Sequence, residues 1–192
     1  MKLVFATTNA GKLAELRELV QGVEVVSAAE AAPGLDVEED QPTFAGNAEK
    51  KARAFLAATG LPSLADDSGL SVDALGGRPG VLSARYAPTD AERIARLIGE
   101  LEGLTDRRAH FTCALCLALP GGAVETTLGE CHGEIIDTPR GAHGFGYDPI
   151  FLIPSQGKTL AELTRPQKAG LSHRGAAMRA MAPKLLRLSS SA

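Results

Sequence analysis

The chain has 192 residues, a formal net charge of -3, 44% hydrophobic and 22% charged residues, 4% aromatics and no tryptophan. This suits a single domain spanning 1–192 whose core rests on Leu, Val, Ile and Ala, and it excludes a general nucleic-acid binder, which would carry a basic excess. No apolar run is long enough to span a bilayer and the N-terminus lacks a signal-peptide pattern, so the expected location is the cytoplasm, with no membrane partner.

Lys2 to Ala6 reads as a short apolar strand. Thr7-Thr8-Asn9-Ala10-Gly11-Lys12 follows, then Leu13, Leu16, Leu19 and Val20 at helical spacing. A strand that runs through a small polar loop into a helix presents free N–H groups and the positive end of the helix dipole. With Thr7, Thr8 and Asn9 as side-chain donors and Lys12 as a full charge, this stretch is a phosphate cradle, although not a Walker A loop. Taken singly, it reads as a helix cap with a solvated lysine. Val23 to Val26 is a second strand, and the acid-rich run from Ala28 to Asp40 reads as a solvated loop. After Pro42, the positions Phe44, Ala48, Ala52, Phe55 and Leu56 mark a helix with one apolar face. Asn47 and Lys51, four apart, share another face. Glu39 precedes this helix as a candidate metal ligand.

Leu64-Ala65-Asp66-Asp67-Ser68-Gly69-Leu70-Ser71-Val72 is the candidate reaction centre. Local signals give a strand over Leu61–Ala65, a turn at Ser68-Gly69 and a second strand over Leu70–Leu75. Two carboxylates at a strand end near a core need a neutralising charge, and a hard cation such as Mg²⁺ takes carboxylate oxygens. As an isolated motif the pair is a turn cap. Gly76 to Gly80 is a loop, Thr89 and Glu92 have capping-box spacing, and Ile94, Leu97, Ile98 and Leu101 form a surface helix stopped at Gly103. This region reads as scaffold.

Ala109 to Leu119 alternates, Gly121-Gly122 turns the chain, and Val124 to Glu130 returns as a hairpin. His110 and His132 in or near it read as structural. Cys113 and Cys116 form a C-x-x-C, but their odd spacing on an alternating strand sends the thiols to opposite faces. With Cys131 the count is odd, so buried, inert thiols are expected rather than a disulfide framework. Gly141 to Phe151 sets three glycines around Phe145, a ring that can stack on a planar base; the competing account is a β-bulge with a core Phe. Ser172 caps a final helix through Ala177, Met178, Met181, Leu185 and Leu188, bent at Pro183, with His173 and Arg174 at its N-terminus. A cation there gains nothing from the dipole, which hints at an anionic or carbonyl-bearing ligand. Ser189 to Ala192 reads as a frayed tail. Strands and helices interleave around one hairpin, which gives an α/β fold with a mixed sheet flanked by helices.

In order, Thr7-Thr8-Asn9-Ala10-Gly11-Lys12, Ala65-Asp66-Asp67-Ser68-Gly69, Gly144-Phe145-Gly146-Tyr147-Asp148-Pro149 and Ser172-His173-Arg174-Gly175 closely resemble the inosine triphosphate pyrophosphatase family, from Lys2 to about Leu186. The resemblance implies a long twisted mixed sheet in two lobes with a central cleft, and a homodimer. It implies Mg²⁺-dependent hydrolysis of ITP, dITP and XTP to the monophosphate and pyrophosphate. Residues 7–12, Lys51 and Lys168 match phosphate ligands. Asp67 matches the general base and a metal ligand, and Glu39 the second metal-associated acid. Ser68 matches a substrate contact. Phe145, Gly146, Tyr147, Asp148, His173 and Arg174 match the purine-binding set. Gly46 stands where the family often has an acid, and Gln167 and Ala169 flank Lys168 where Glu and Asn are common. The alternatives are a Maf-like pyrophosphatase of modified pyrimidine triphosphates, which the Ser-His-Arg block and the Gly-Phe-Gly-Tyr-Asp loop disfavour, and a non-catalytic nucleotide sensor, which would not need Asp67 and Glu39.

Overall fold

A computed structural model describes residues 2–20 and 22–190. The strands are β1 (Lys2–Phe5), β2 (Glu24–Ser27), β3 (Ser63–Val72), β4 (Arg108–Ala118), β5 (Val124–Ile135), β6 (Phe151–Ile153) and β7 (Lys158–Thr159). The helices are α1 (Ala10–Leu19), α2 (Ala28–Ala31), α3 (Phe44–Thr59), α4 (Asp90–Glu100), α5 (Arg165–Leu171) and α6 (His173–Ser190). The strands form one mixed sheet in the order β2-β1-β3-β4-β5-β6-β7. β1 lies parallel to β2 and β3, with Val4 opposite Val26 and Ser63, whereas β5, β6 and β7 pair antiparallel. The expected mixed sheet with flanking helices is therefore present. The chain divides into two compact units: residues 1–67, 113–129 and 176–192, and residues 68–112 and 130–175.

In the first unit, the period-two alternation of the strands sorts side chains by size. Leu3, Phe5, Leu64, Cys113, Leu115 and Leu117 pack with Leu16 of α1 and Met178, Met181 and Leu185 of α6. Their sequence neighbours Val4, Ala6, Ala65, Ala114, Cys116 and Ala118 pack with Ala48, Ala52 and Phe55 of α3. Small side chains on both sides let a helix approach a sheet closely, and that closeness brings short polar groups of α3 to the strands. Cys113 and Cys116 fall on opposite faces, as their spacing requires, and burial pushes the thiols of Cys116 and Cys131 up to about 11. The second unit packs Leu70, Val72, Phe111, Cys131, Ile135, Tyr147, Ile150 and Phe151 against Leu97 and Leu101 at the end of α4.

Several local expectations are corrected. Ser68-Gly69 is not a turn, because β3 runs unbroken through it and Gly69 has no positive φ. The strand is buried on both faces between β1 and β4, and that burial overrides the turn-forming residues. Asp66 and Asp67 therefore lie inside a strand rather than at its end, and Asp73–Leu75 is a single 3-10 turn. The acid-rich run begins with the short helix α2, which a reciprocal Ser27–Glu30 capping box starts. Residues 141–150 contain no bulge; Phe145 is 55% exposed and Asp148–Ile150 forms a 3-10 turn. α4 has the expected Thr89–Glu92 box and ends at Glu100, three residues before Gly103. α6 continues through Ser189 and Ser190, where a frayed tail was expected, and carries Pro183 inside it. The rest of that tail, Ser191 and Ala192, lies outside the described residues, as do the side chains of Ala10, Leu19 and Leu188.

Candidate functional site

In the first unit, β3 carries Asp66 and Asp67, which are 1% and 8% exposed. Adjacent strand residues point to opposite faces, so the two acids meet different helices. Lys12, in the first turn of α1, places Nζ 2.6 Å from Asp66 Oδ2. Asn47 of α3 donates from Nδ2 to Asp67 Oδ2 at 2.9 Å, while its Oδ1 accepts from the Gln41 backbone N–H at 2.9 Å. Asn47 is 1% exposed, so its amide is a fixed link between the chain entering α3 and the strand carboxylate. One turn further along α3, Lys51 Nζ stands 2.5 Å from Glu39 Oε1.

The shared face of Asn47 and Lys51 thus brings Asp67 and Glu39 to the same side of α3. A hard divalent cation usually takes one or two carboxylates and completes its shell with water and phosphate oxygens, and this all-oxygen pair fits that preference. Among the described residues, no group of three His, Cys, Asp or Glu side chains gathers as a metal site, so a self-sufficient protein cage is absent from that set.

The loop before α1 departs from its expected role in detail. Asn9 caps α1, its side chain accepting from the Lys12 backbone N–H at 3.1 Å, and Thr7 Oγ1 accepts from the Asn9 N–H at 3.2 Å. These side chains shape the loop as acceptors. Thr8 and Asn9 are exposed, and Ala10 and Gly11 form the first helical residues.

In the second unit, a pocket of about 160 Å³ is lined by Ser68, Gly69, Phe111, Phe145, Gly146, Tyr147, Asp148, Lys168, His173 and Arg174, and also by Ser83, Ala84 and Arg93. Every expected purine contact is therefore at this pocket, with Ser68 and Lys168. His173 stacks on Phe111 with ring centroids 4.8 Å apart and planes 13° from parallel. Lys168 Nζ and the Arg174 guanidinium lie 5.1 and 5.9 Å from the centroid of the exposed Phe145 ring, within cation–π range.

Asp148, 3% exposed, holds this arrangement: its Oδ2 accepts from the Phe145 N–H at 2.9 Å and from Lys168 Nζ at 2.5 Å. Gly144, at φ +83°, leaves the space, since a Cβ there would stand 2.0 Å from the same oxygen. Ser172 Oγ accepts from the Gly175 N–H at 3.1 Å, so the expected cap of α6 is present and it delivers His173 and Arg174, each 6% exposed, to the pocket wall.

Ser83, Ala84, Arg93 and Phe111 line the pocket although residues 76–103 read as scaffold and Phe111 as one position of the alternating hairpin strand. Ser83 Oγ accepts from the Leu70 N–H at 2.8 Å, and the Ser83 carbonyl accepts from the Tyr147 hydroxyl at 3.0 Å. The bends around Arg78-Pro79 and Gly80 were visible in the sequence; the partners they reach were not.

A buried strand acid held by an amide, lysines paired with other acids of the same unit, and an aromatic pocket edged with cations suit a protein that handles phosphorylated planar ligands. The chain belongs to the Ham1 family, whose model matches residues 3–184. It is 54% identical over 177 residues to the dITP/XTP pyrophosphatase of Gloeobacter violaceus, covering 92% of this chain and 90% of that one. Among solved structures, a HAM1 protein from Coxiella burnetii superposes with a TM-score of 0.93 at 42% identity, covering 97% of this chain and 99% of that chain. The Staphylococcus aureus Ham1 protein gives 0.92 at 39% identity, covering 96% and 98%.

Proposed function

We propose that the chain hydrolyses deaminated purine nucleoside triphosphates, ITP, dITP and XTP, to the monophosphate and pyrophosphate. The observation that carries this is near-full-length identity of 54% to a protein named for that reaction; the residues gathered within each unit support it. In the first unit, Asp67, held by Asn47, accepts the proton of the attacking water or orients it toward the α-phosphorus. Lys12 and Lys51, with the N–H groups at the start of α1, neutralise the phosphates, and Lys168 adds a further charge. Asp67 and Glu39 would hold Mg²⁺, which would supply charge neutralisation at the phosphates and would lower the pKa of nearby water.

In the second unit, Phe145 stacks on the base, and Arg174 or a neighbouring backbone N–H donates to the C6 carbonyl that hypoxanthine and xanthine carry. Adenine presents a donor at that position, and a site built around a required hydrogen bond rejects such an analogue by about 10⁴–10⁵. The family resemblance supports a homodimer, and the net charge of -3 argues against a nucleic-acid partner. No helix among the described residues is long and apolar enough to cross a membrane, and the proposed location is the cytoplasm. The test is pyrophosphate release from ITP, dITP, XTP, ATP and GTP, with Mg²⁺ and with chelator. Turnover of the first three with Mg²⁺, and weak turnover of ATP and GTP, is expected. Comparable efficiency on all five overturns the selectivity, and activity undiminished by chelator overturns the metal.

A further inference from the structure

The exposed Phe145 sits on a turn with three polar ties. Asp148 receives the Phe145 N–H, the Ser83 carbonyl receives the Tyr147 hydroxyl, and Asp90 Oδ2 receives the Gly146 N–H at 2.7 Å. The first is local to the turn. The third reaches 56 positions along the chain, to the first residue of α4. The other oxygen of that carboxylate, Asp90 Oδ1, lies 2.7 Å from Arg93 Nη1, and Arg93 lines the pocket. Arg93 is itself held, donating from Nε to the Ala87 carbonyl at 2.9 Å. One carboxylate therefore joins the turn that carries the aromatic ring to the guanidinium of the pocket wall. An acid in the first turn of a helix is ordinarily a dipole partner, but Asp90 has spent both oxygens on the pocket.

We propose that Asp90 is a positioning residue for base recognition, its carboxylate fixing the Phe145 turn through Gly146 and the pocket wall through Arg93. This rests on the reading of the pocket as the base site. Loss of the tie widens the range of ring positions in the free protein, and that ordering must be restored on binding. The cost falls on substrate affinity and spares the chemical step.

The experiment compares ITP kinetics and melting temperature for Asp90→Ala, Asp90→Asn, Glu92→Ala and Phe145→Ala. Glu92 completes the Thr89 capping box without a bond to the turn, so its loss reports a damaged helix end alone. Asp90→Ala is expected to raise KM by about five- to tenfold while kcat changes by less than about twofold. Asp90→Asn keeps an oxygen for the Gly146 N–H and restores most of the affinity. Glu92→Ala lowers the melting temperature and leaves KM unchanged. Because the sequence has no tryptophan, Phe145→Trp gives a single tryptophan on the turn, which can be excited selectively over Tyr86 and Tyr147, and adding Asp90→Ala should make it more readily quenched by acrylamide. If Phe145→Ala raises KM and Asp90→Ala does not, the inference fails and the base site stands. If Phe145→Ala leaves KM unchanged, both fail. A KM rise in Glu92→Ala equal to that in Asp90→Ala assigns the effect to the helix end and overturns the proposal.

Discussion

In the first unit, bonds of 2.5 to 2.9 Å join Lys12 to Asp66, Asn47 to Asp67 and Lys51 to Glu39, residues up to 54 positions apart. In the second, most of the pocket's distinctive geometry comes from one short turn, Gly144 to Asp148, and its charged groups flank an aromatic ring. The difference separates two uses of charge. Lys12 and Lys51 rest on carboxylates, so under the proposed function a polyphosphate would have to take them from existing partners. Asp90 and Asp148 accept backbone N–H groups and hold a shape. The first unit should therefore fail when a charge is lost, and the second when a ring moves.

The largest expected effect tests the first half of that contrast. Asp67→Asn keeps an oxygen for the Asn47 amide but removes the base, and turnover should fall by about 10³ or more with substrate binding little changed. Single-turnover pyrophosphate release and equilibrium binding of a non-hydrolysable analogue measure the two separately. Near-normal turnover would place the chemistry on another group.

Glu39→Gln should act next most strongly and in two directions. The Mg²⁺ concentration for half-maximal activity should rise by about tenfold as one carboxylate ligand is lost. With the Lys51–Glu39 pair removed, metal-free tripolyphosphate should bind more tightly than to the parent protein. Asp40→Asn is the control: it removes the same charge one residue away, from the more exposed Lys50 pair, where little effect is expected. Equal tightening in both variants would reduce the effect to net charge and blur the contrast.

Gly144→Ala tests the second half. The added Cβ would stand 2.0 Å from Asp148 Oδ2 and 3.1 Å from Lys168 Nζ, on a backbone at φ +83°. Destabilisation of about 1–2 kcal/mol is expected, with KM raised and kcat largely kept. Urea denaturation and steady-state kinetics on ITP check both. A fall in kcat with KM unchanged would mean that the turn serves the chemistry rather than recognition.

The same contrast explains what could be read in the sequence. The strand, loop and helix around residues 7–12, the hairpin, the start of α4 and the opposite facing of Cys113 and Cys116 follow from local spacing, and all are found. The turn around Phe145 announced itself through its glycines. Ser68-Gly69 misled, because a strand buried on both faces overrides turn-forming residues. The pairing of Lys12 with Asp66, and the reach of Asp90 and Ser83 to the Phe145 turn, depend on how distant segments fold together. No local pattern encodes those contacts.

The smallest effect comes from a charged cluster on which no substrate role falls. Glu100 accepts from the Tyr86 hydroxyl at 2.7 Å, pairs with Arg96 at 2.9 Å and meets Arg78 at 2.9 Å. The Tyr86 bond, then the Arg96 bond and the two guanidinium charges, hold its carboxyl below the usual value against the opposing effect of burial. A depressed folded-state pKa gives stability that is fully present above the unfolded value, about 4.3 for Glu, and is lost as pH falls through the lower folded value. With the carboxylate partly exposed, the contribution should be about 1 kcal/mol. The stability difference between the parent and Glu100→Gln should hold steady from neutral pH to about pH 5 and then shrink toward pH 3. KM for ITP should not move. A KM shift matching that of Asp90→Ala would mean that α4 transmits any loss of charge to the Phe145 turn, and the distinction between charges that hold the pocket and charges that only hold the helix would collapse.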